Sequence, residues 1–100
     1  MFHFITDLFS PKIEAKIHVQ GFFGQEKTYF LQNAVKAWGL PGQFRLLSKS
    51  LVQIDLEGRQ SKIERCIEHL RHNPNLGSTY SIAAHFLPYK GKYPYFRVHH

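Results

Sequence analysis

Ile13, Ala15, Ile17 and Val19 alternate with Lys12, Glu14, Lys16 and His18. Alternation at period two is the mark of a strand with one buried face. The strand points into Gly21-Phe22-Phe23-Gly24, and from about Glu26 to Trp38 the apolar residues Phe30, Leu31, Ala34, Val35 and Trp38 recur at helical spacing. A strand, a glycine loop and a helix in that order bring loop N–H groups and the first unpaired helical N–H groups to one point, where the helix dipole favours an anion. The loop is therefore a candidate anion cradle, with Gly21, Phe22, Phe23, Gly24, Gln25, Lys27 and Thr28 as its residues. No cation stands at the first helical position to complete it.

The rest of the chain builds a small sheet around this junction. Gly39 stops the helix. Gly42 to Ser48 and Leu51 to Leu56 are strand-like runs joined by the polar break Ser48-Lys49-Ser50, which reads as a hairpin. A second helix follows Gly58. Ser61 with Glu64 has the form of a capping box, and Ile63, Cys66, Ile67 and Leu70 make one apolar stripe up to Asn73-Pro74. Thr79 to Leu87 suits a strand with Tyr80, Ile82, Ala84 and Phe86 on one face. Pro88 to Pro94 is a basic loop holding Lys90-Gly91-Lys92, and Tyr95 to Val98 returns as a short strand.

The order β-α-β-β-α-β plus a short extra strand predicts an α+β, ferredoxin-like split-βαβ sandwich. Two helices would pack on one face of an antiparallel sheet. The domain spans residues 12–98. Residues 1–11 form an apolar arm, with Phe2, Phe4, Ile5, Leu8 and Phe9 ahead of Ser10-Pro11, that either covers the domain or docks a protein partner.

Thirteen Lys and Arg against seven Asp and Glu give a formal charge of +6. That balance suits acidic partners: a phosphate or carboxylate anion, nucleic acid or an anionic surface. The single Cys66 excludes an intramolecular disulfide and a Cys-rich metal site, fits a reducing cytoplasm, and falls on the core side of its helix. No apolar run reaches the roughly 18 residues of a membrane span, and the first residues lack the basic start of a signal peptide.

In this order, Val19-Gln20-Gly21, Gly39-Leu40-Pro41-Gly42 with Gln43-Phe44-Arg45, Glu57-Gly58, the Ile63, Ile67 and Leu70 series with Asn73-Pro74, and Phe96-Arg97-Val98 resemble the motifs of acylphosphatases. The resemblance covers about residues 13–98 and agrees with the topology derived above. It implies hydrolysis of a carboxyl-phosphate anhydride without a cofactor. Loop N–H groups and an arginine would hold the phosphoryl oxygens while an asparagine aims water. This sequence departs from that pattern twice. The arginine position falls on Gln25 or, counted back from Gly39, on Thr28; the asparagine position falls on Leu46. Ser48, two residues on, would share the face of Leu46. The resemblance thus implies the fold with little hydrolysis, leaving a small-anion or protein-binding module. A weak phosphohydrolase with Lys27 as its cation is the alternative.

His69 and His72 are helical neighbours, but no further ligand completes a metal site, and His99-His100 read as tail. A second alternative is RNA binding, because ferredoxin-like sheets can offer an open face to bases. Phe22, Phe23, Tyr80, Tyr89, Tyr93 and Tyr95 lie among Lys90, Lys92 and Arg97, although the run Val52-Gln53-Ile54-Asp55 is unaromatic and partly acidic. Protein partners would use the arm or a sheet edge.

Overall fold

A computed structural model describes residues 9–74 and 81–99. In chain order they form β1 (Lys12–Gln20), α1 (Gln25–Lys36), β2 (Gly42–Ser48), β3 (Leu51–Arg59), α2 (Gln60–Arg71), β4 (Ser81–Pro88) and β5 (Phe96–His99). The sheet order is β4-β1-β3-β2-β5. The ferredoxin-like α+β expectation holds, with one correction: β5 runs parallel to β2, so the sheet is mixed. The short last strand keeps the sense a hairpin return from β4 would have, but its loop carries it to the far edge of the sheet, where its neighbour β2 runs the same way. His99 is part of β5, in register with Arg45, and so is not tail.

Both helices cover one face. The odd-numbered β1 residues Ala15, Ile17 and Val19 meet Val52, Ile54 and Leu56 of β3 and Phe44 of β2; Leu31 and Val35 of α1 and Ile63, Cys66, Ile67 and Leu70 of α2 close over them. Burial of this kind stabilises by about 25 cal/mol per Å² of apolar surface. Cys66 belongs to this core, and burial pushes its thiol pKa up to about 12. On edge strand β4, Ile82 reaches the core while Phe86 stays 46% exposed at the strand's far end.

Two glycines are fixed by geometry. Gly39 takes φ +68°, the left-handed turn that ends α1 and returns the chain to β2. At Gly42 a Cβ would sit 1.8 Å from the Asp55 carbonyl oxygen, so only glycine lets β2 start this close to β3.

The second helix begins differently from its sequence signature. β3 continues three residues past Leu56, paired with the start of β1 as far as Lys12 and Arg59, and α2 follows with no loop between. Arg59 therefore occupies the N-cap, and Ser61 lies inside the first turn. The capping box does not form. Ser10 Oγ instead accepts the Ser61 N–H at 2.9 Å, the Pro11 carbonyl accepts the Gln60 N–H at 2.8 Å, and Arg59 Nη1 donates to the Ser10 carbonyl. Residues that precede β1 thus satisfy the orphan donors of a helix some fifty positions downstream. The rest of the arm, residues 1–8, and the Thr79-Tyr80 start of the fourth expected strand lie outside the described residues.

Candidate functional site

The β1–α1 loop is held from below by the β2–β3 turn. The Gly21 N–H donates to the Ser50 carbonyl at 3.1 Å and the Phe23 N–H to the Lys49 carbonyl at 2.7 Å. Those two donors are unavailable to an anion. Phe23 is buried in the core, whereas Phe22 is 71% exposed. Helix α1 starts at Gln25, with Gly24 as an N-cap that has no side chain to offer. Thr28 sits one turn further in, and its Oγ1 donates back to the Gly24 carbonyl at 2.9 Å. Gln25 is thus the residue at the first helical position. The N–H groups of Gln25, Glu26 and Lys27 are the orphan donors of this helix start.

A cavity of about 600 Å³ opens beside this helix start. Phe22, Phe23, Tyr29, Phe44, Leu46 and Val98 supply its apolar wall; Gln25, Thr28, Gln32, Lys49 and His99 supply polar groups around it. The structure thus brings Gln25, Thr28 and Leu46 together on one cavity. Lys27 borders an adjoining hollow of about 450 Å³ with Glu26 and Phe30, which shares Phe22, Gly24 and Gln25 with the main cavity. Lys49, in the polar break of the β2–β3 hairpin, is the lysine on the main cavity.

Ser48 also departs from expectation. A β-bulge shifts the register so that Leu46 faces Val52 while Ser48 faces Leu51, which sets Ser48 on the opposite side of the sheet from Leu46. Its hydroxyl closes the hairpin by accepting the Ser50 N–H at 3.2 Å. Tyr29, Gln32, Val98 and His99 were likewise missed as lining residues. The period of α1 would have found Tyr29 and Gln32, which lie one and two turns along the face of Gln25 and Thr28.

The helical histidines are occupied otherwise. His69 packs edge-on against Trp38 with centroids 5.9 Å apart, and His72 Nε2 lies 2.6 Å from Glu68 Oε1. Among the described residues no group of three metal-binding side chains converges, and no helix is long and apolar enough to cross a membrane.

By sequence, no family model and no curated protein matches the chain. By structure the likeness is clear. Acylphosphatase from Bacillus subtilis superposes with a TM-score of 0.71 at 20% identity, covering 88% of this chain and 99% of that one. Acylphosphatase from Coxiella burnetii gives 0.64 at 21%, covering 87% and 94%. Full-length HypF in its phosphate- and nucleotide-bound form gives 0.73 at 22%, covering 91% of this chain, which spans only 12% of the HypF chain. The protein is an acylphosphatase-like domain in fold. Gln25, Thr28 and Leu46 stand together on its cavity.

Proposed function

We propose that this domain binds a small anion with an apolar body and does not hydrolyse acyl phosphates efficiently. The observation that carries this reading is the wall of the cavity: Leu46, Phe44, Phe22 and Val98 surround the space where a phosphoryl group and its attacking water would need polar partners. An oxyanion anchor is commonly worth about 10²–10³ in rate, and Gln25 supplies neither the charge nor the bidentate fork of an arginine. What remains suits binding. The orphan N–H groups at the start of α1 and the Lys49 ammonium offer anion contacts, and the aromatic side chains offer area for a hydrophobic remainder.

The competing reading, a slow phosphohydrolase with Lys27 as its cation, is disfavoured because Lys27 borders the other hollow beside Glu26, whose carboxylate competes for the same N–H groups. An amide-resolved NMR titration tests the proposal. Benzoate, an anion with an apolar ring, should shift Gln25, Leu46 and Lys49 saturably and more tightly than inorganic phosphate does, and Lys49→Ala should weaken it by about 5-fold or more. Equal responses to both anions, or no response at these residues, would remove the reading.

A further inference from the structure

The sheet has a second face, which no helix covers. Along β1 the even-numbered residues Lys12, Glu14, Lys16 and His18 point to it, since Ala15 and Ile17 are in the core. Strand register then sets two rows across the sheet. One runs His85, Lys16, Asp55, Gln43, Arg97; the next runs Ala83, His18, Gln53, Arg45, His99. Charge on this face is one-sided. Glu14, Asp55 and Glu57 also belong to it, but they are 0%, 1% and 1% exposed. Glu57 collects the N–H groups of Gly91 and Tyr93 at 2.9 Å and of Lys90 at 3.4 Å, and Asp55 accepts Gln43 Nε2 at 2.6 Å. Among the described residues the exposed carboxylates, Glu26, Glu64 and Glu68, all lie on the helices. The open face therefore presents cations to solvent with no exposed acid among them.

Aromatic rings border this cationic field. Lys12 Nζ lies 5.6 Å from the centre of the Tyr89 ring, and the Arg97 guanidinium 5.8 Å from that of Tyr95, which is 59% exposed. A ring beside a cation is what a nucleotide needs: a face for the base and a charge for its phosphate. An acidic peptide would use the cations and leave the rings idle. A duplex would need an element that enters a groove, and this face is a sheet with no projecting helix.

We infer that the open face binds single-stranded nucleic acid, with Lys16, Arg45 and Arg97 on phosphates and Tyr89 and Tyr95 against bases. The acidic third strand, which argued against such a role in the sequence, does not oppose it, because Asp55 is buried and hydrogen bonded. The aromatic set also changes: Phe23 is in the core, Phe22 lies on the anion cavity, and Tyr80 lies outside the described residues. Binding would be led by charge and tolerant of sequence, since the ring over the centre of the sheet, Tyr93, is held to Asp55 through its hydroxyl at 3.5 Å rather than standing free for a base.

Fluorescence anisotropy with labelled oligouridine, between about 50 and 200 mM salt, tests this. With about three to five phosphates engaged, log K should fall with log salt at a slope of about −2 to −3.5. The triple variant K16A/R45A/R97A should bind at least about 10-fold more weakly with a slope flattened by about 2. Tyr95→Ala should weaken binding by about 5-fold or more and leave the slope unchanged. The helix-side variant K36A/K62A should bind as the wild type does. Lys16, Arg45, Arg97 and Tyr95 all carry exposed or partly exposed side chains, and thermal melts by circular dichroism confirm that each variant folds. Absence of salt-dependent binding, a triple variant that binds like the wild type, or tighter binding of oligoglutamate or of an RNA duplex would each overturn the inference. The anion cavity meets this face only at edge strand β5, through His99, and its benzoate titration reads Gln25, Leu46 and Lys49 separately.

Discussion

The two faces of this sheet bury their residues by different means. On the helix side, apolar side chains from three central elements interlock, with Phe44, Ile54 and Leu56 almost wholly excluded from water. On the other side, a loop between β4 and β5 closes over carboxylates. Glu57 is capped by backbone N–H groups, and Glu14 is held by Lys92 Nζ at 3.2 Å. The first kind of burial is carried by area and resists any pH. The second depends on a few charge-assisted contacts and on their protonation states.

The difference can be broken apart by substitution. Phe44→Ala should cost most, about 3–5 kcal/mol in chemical denaturation, because it opens a cavity in a rigid core. Glu57→Ala should cost less, about 1–3 kcal/mol, because it strands three N–H groups that the loop can partly return to water. The amides of Gly91 and Tyr93 should then exchange faster than those of β1, so that hydrogen exchange separates a loosened loop from a loosened core.

Lys92→Met should cost about 1–2 kcal/mol, since it leaves Glu14 buried without its cation while the half-exposed site admits some water. Here the pH dependence carries a sign. Hydrogen bonding to Glu14 holds the Lys92 pKa above its ordinary value, and burial, then Asp55, raises that of Tyr93. Both groups stabilise the fold fully below their unfolded values, and both contributions are lost as pH rises through the folded ones. The cost of Lys92→Met should therefore be constant through neutral pH and shrink above the ordinary lysine value of about 10.4. Tyrosinate absorbance should rise over the same range as the loop releases Tyr93. Phe86→Ser, at the exposed end of an edge strand, should change stability least, by about 0.5 kcal/mol or less in the same denaturation experiment.

This contrast also explains what the sequence disclosed. The helix face was legible because alternation in β1 and β3 and the stripe Ile63, Cys66, Ile67, Leu70 state their burial directly. The open face was not. Glu14, Asp55 and Glu57 occupy the polar phase of that same alternation, so they read as solvent-facing, and only the return of the 89–95 segment across the sheet buries them. The capping box failed for a related reason: Ser61 and Glu64 have the right spacing, but the strand runs to Arg59 and the cap comes from Ser10, far away in sequence. At the cavity, motif and order point to Gln25, Thr28 and Leu46, which line it, whereas Lys49 sits in a turn whose periodicity says nothing about what lies above it. The bulge that turns Ser48 away from Leu46 is a matter of backbone register, which residue types there do not announce.

The reading of the cavity as a binding site without hydrolysis rests on what surrounds a bound phosphoryl group, and a hydrolysis assay with an acyl phosphate reaches it most directly. The wild-type protein should release phosphate no faster than buffer does. Turnover well above buffer that disappears in Lys27→Ala or Lys49→Ala would show that a lysine supplies the cation for hydrolysis, and would contradict the account.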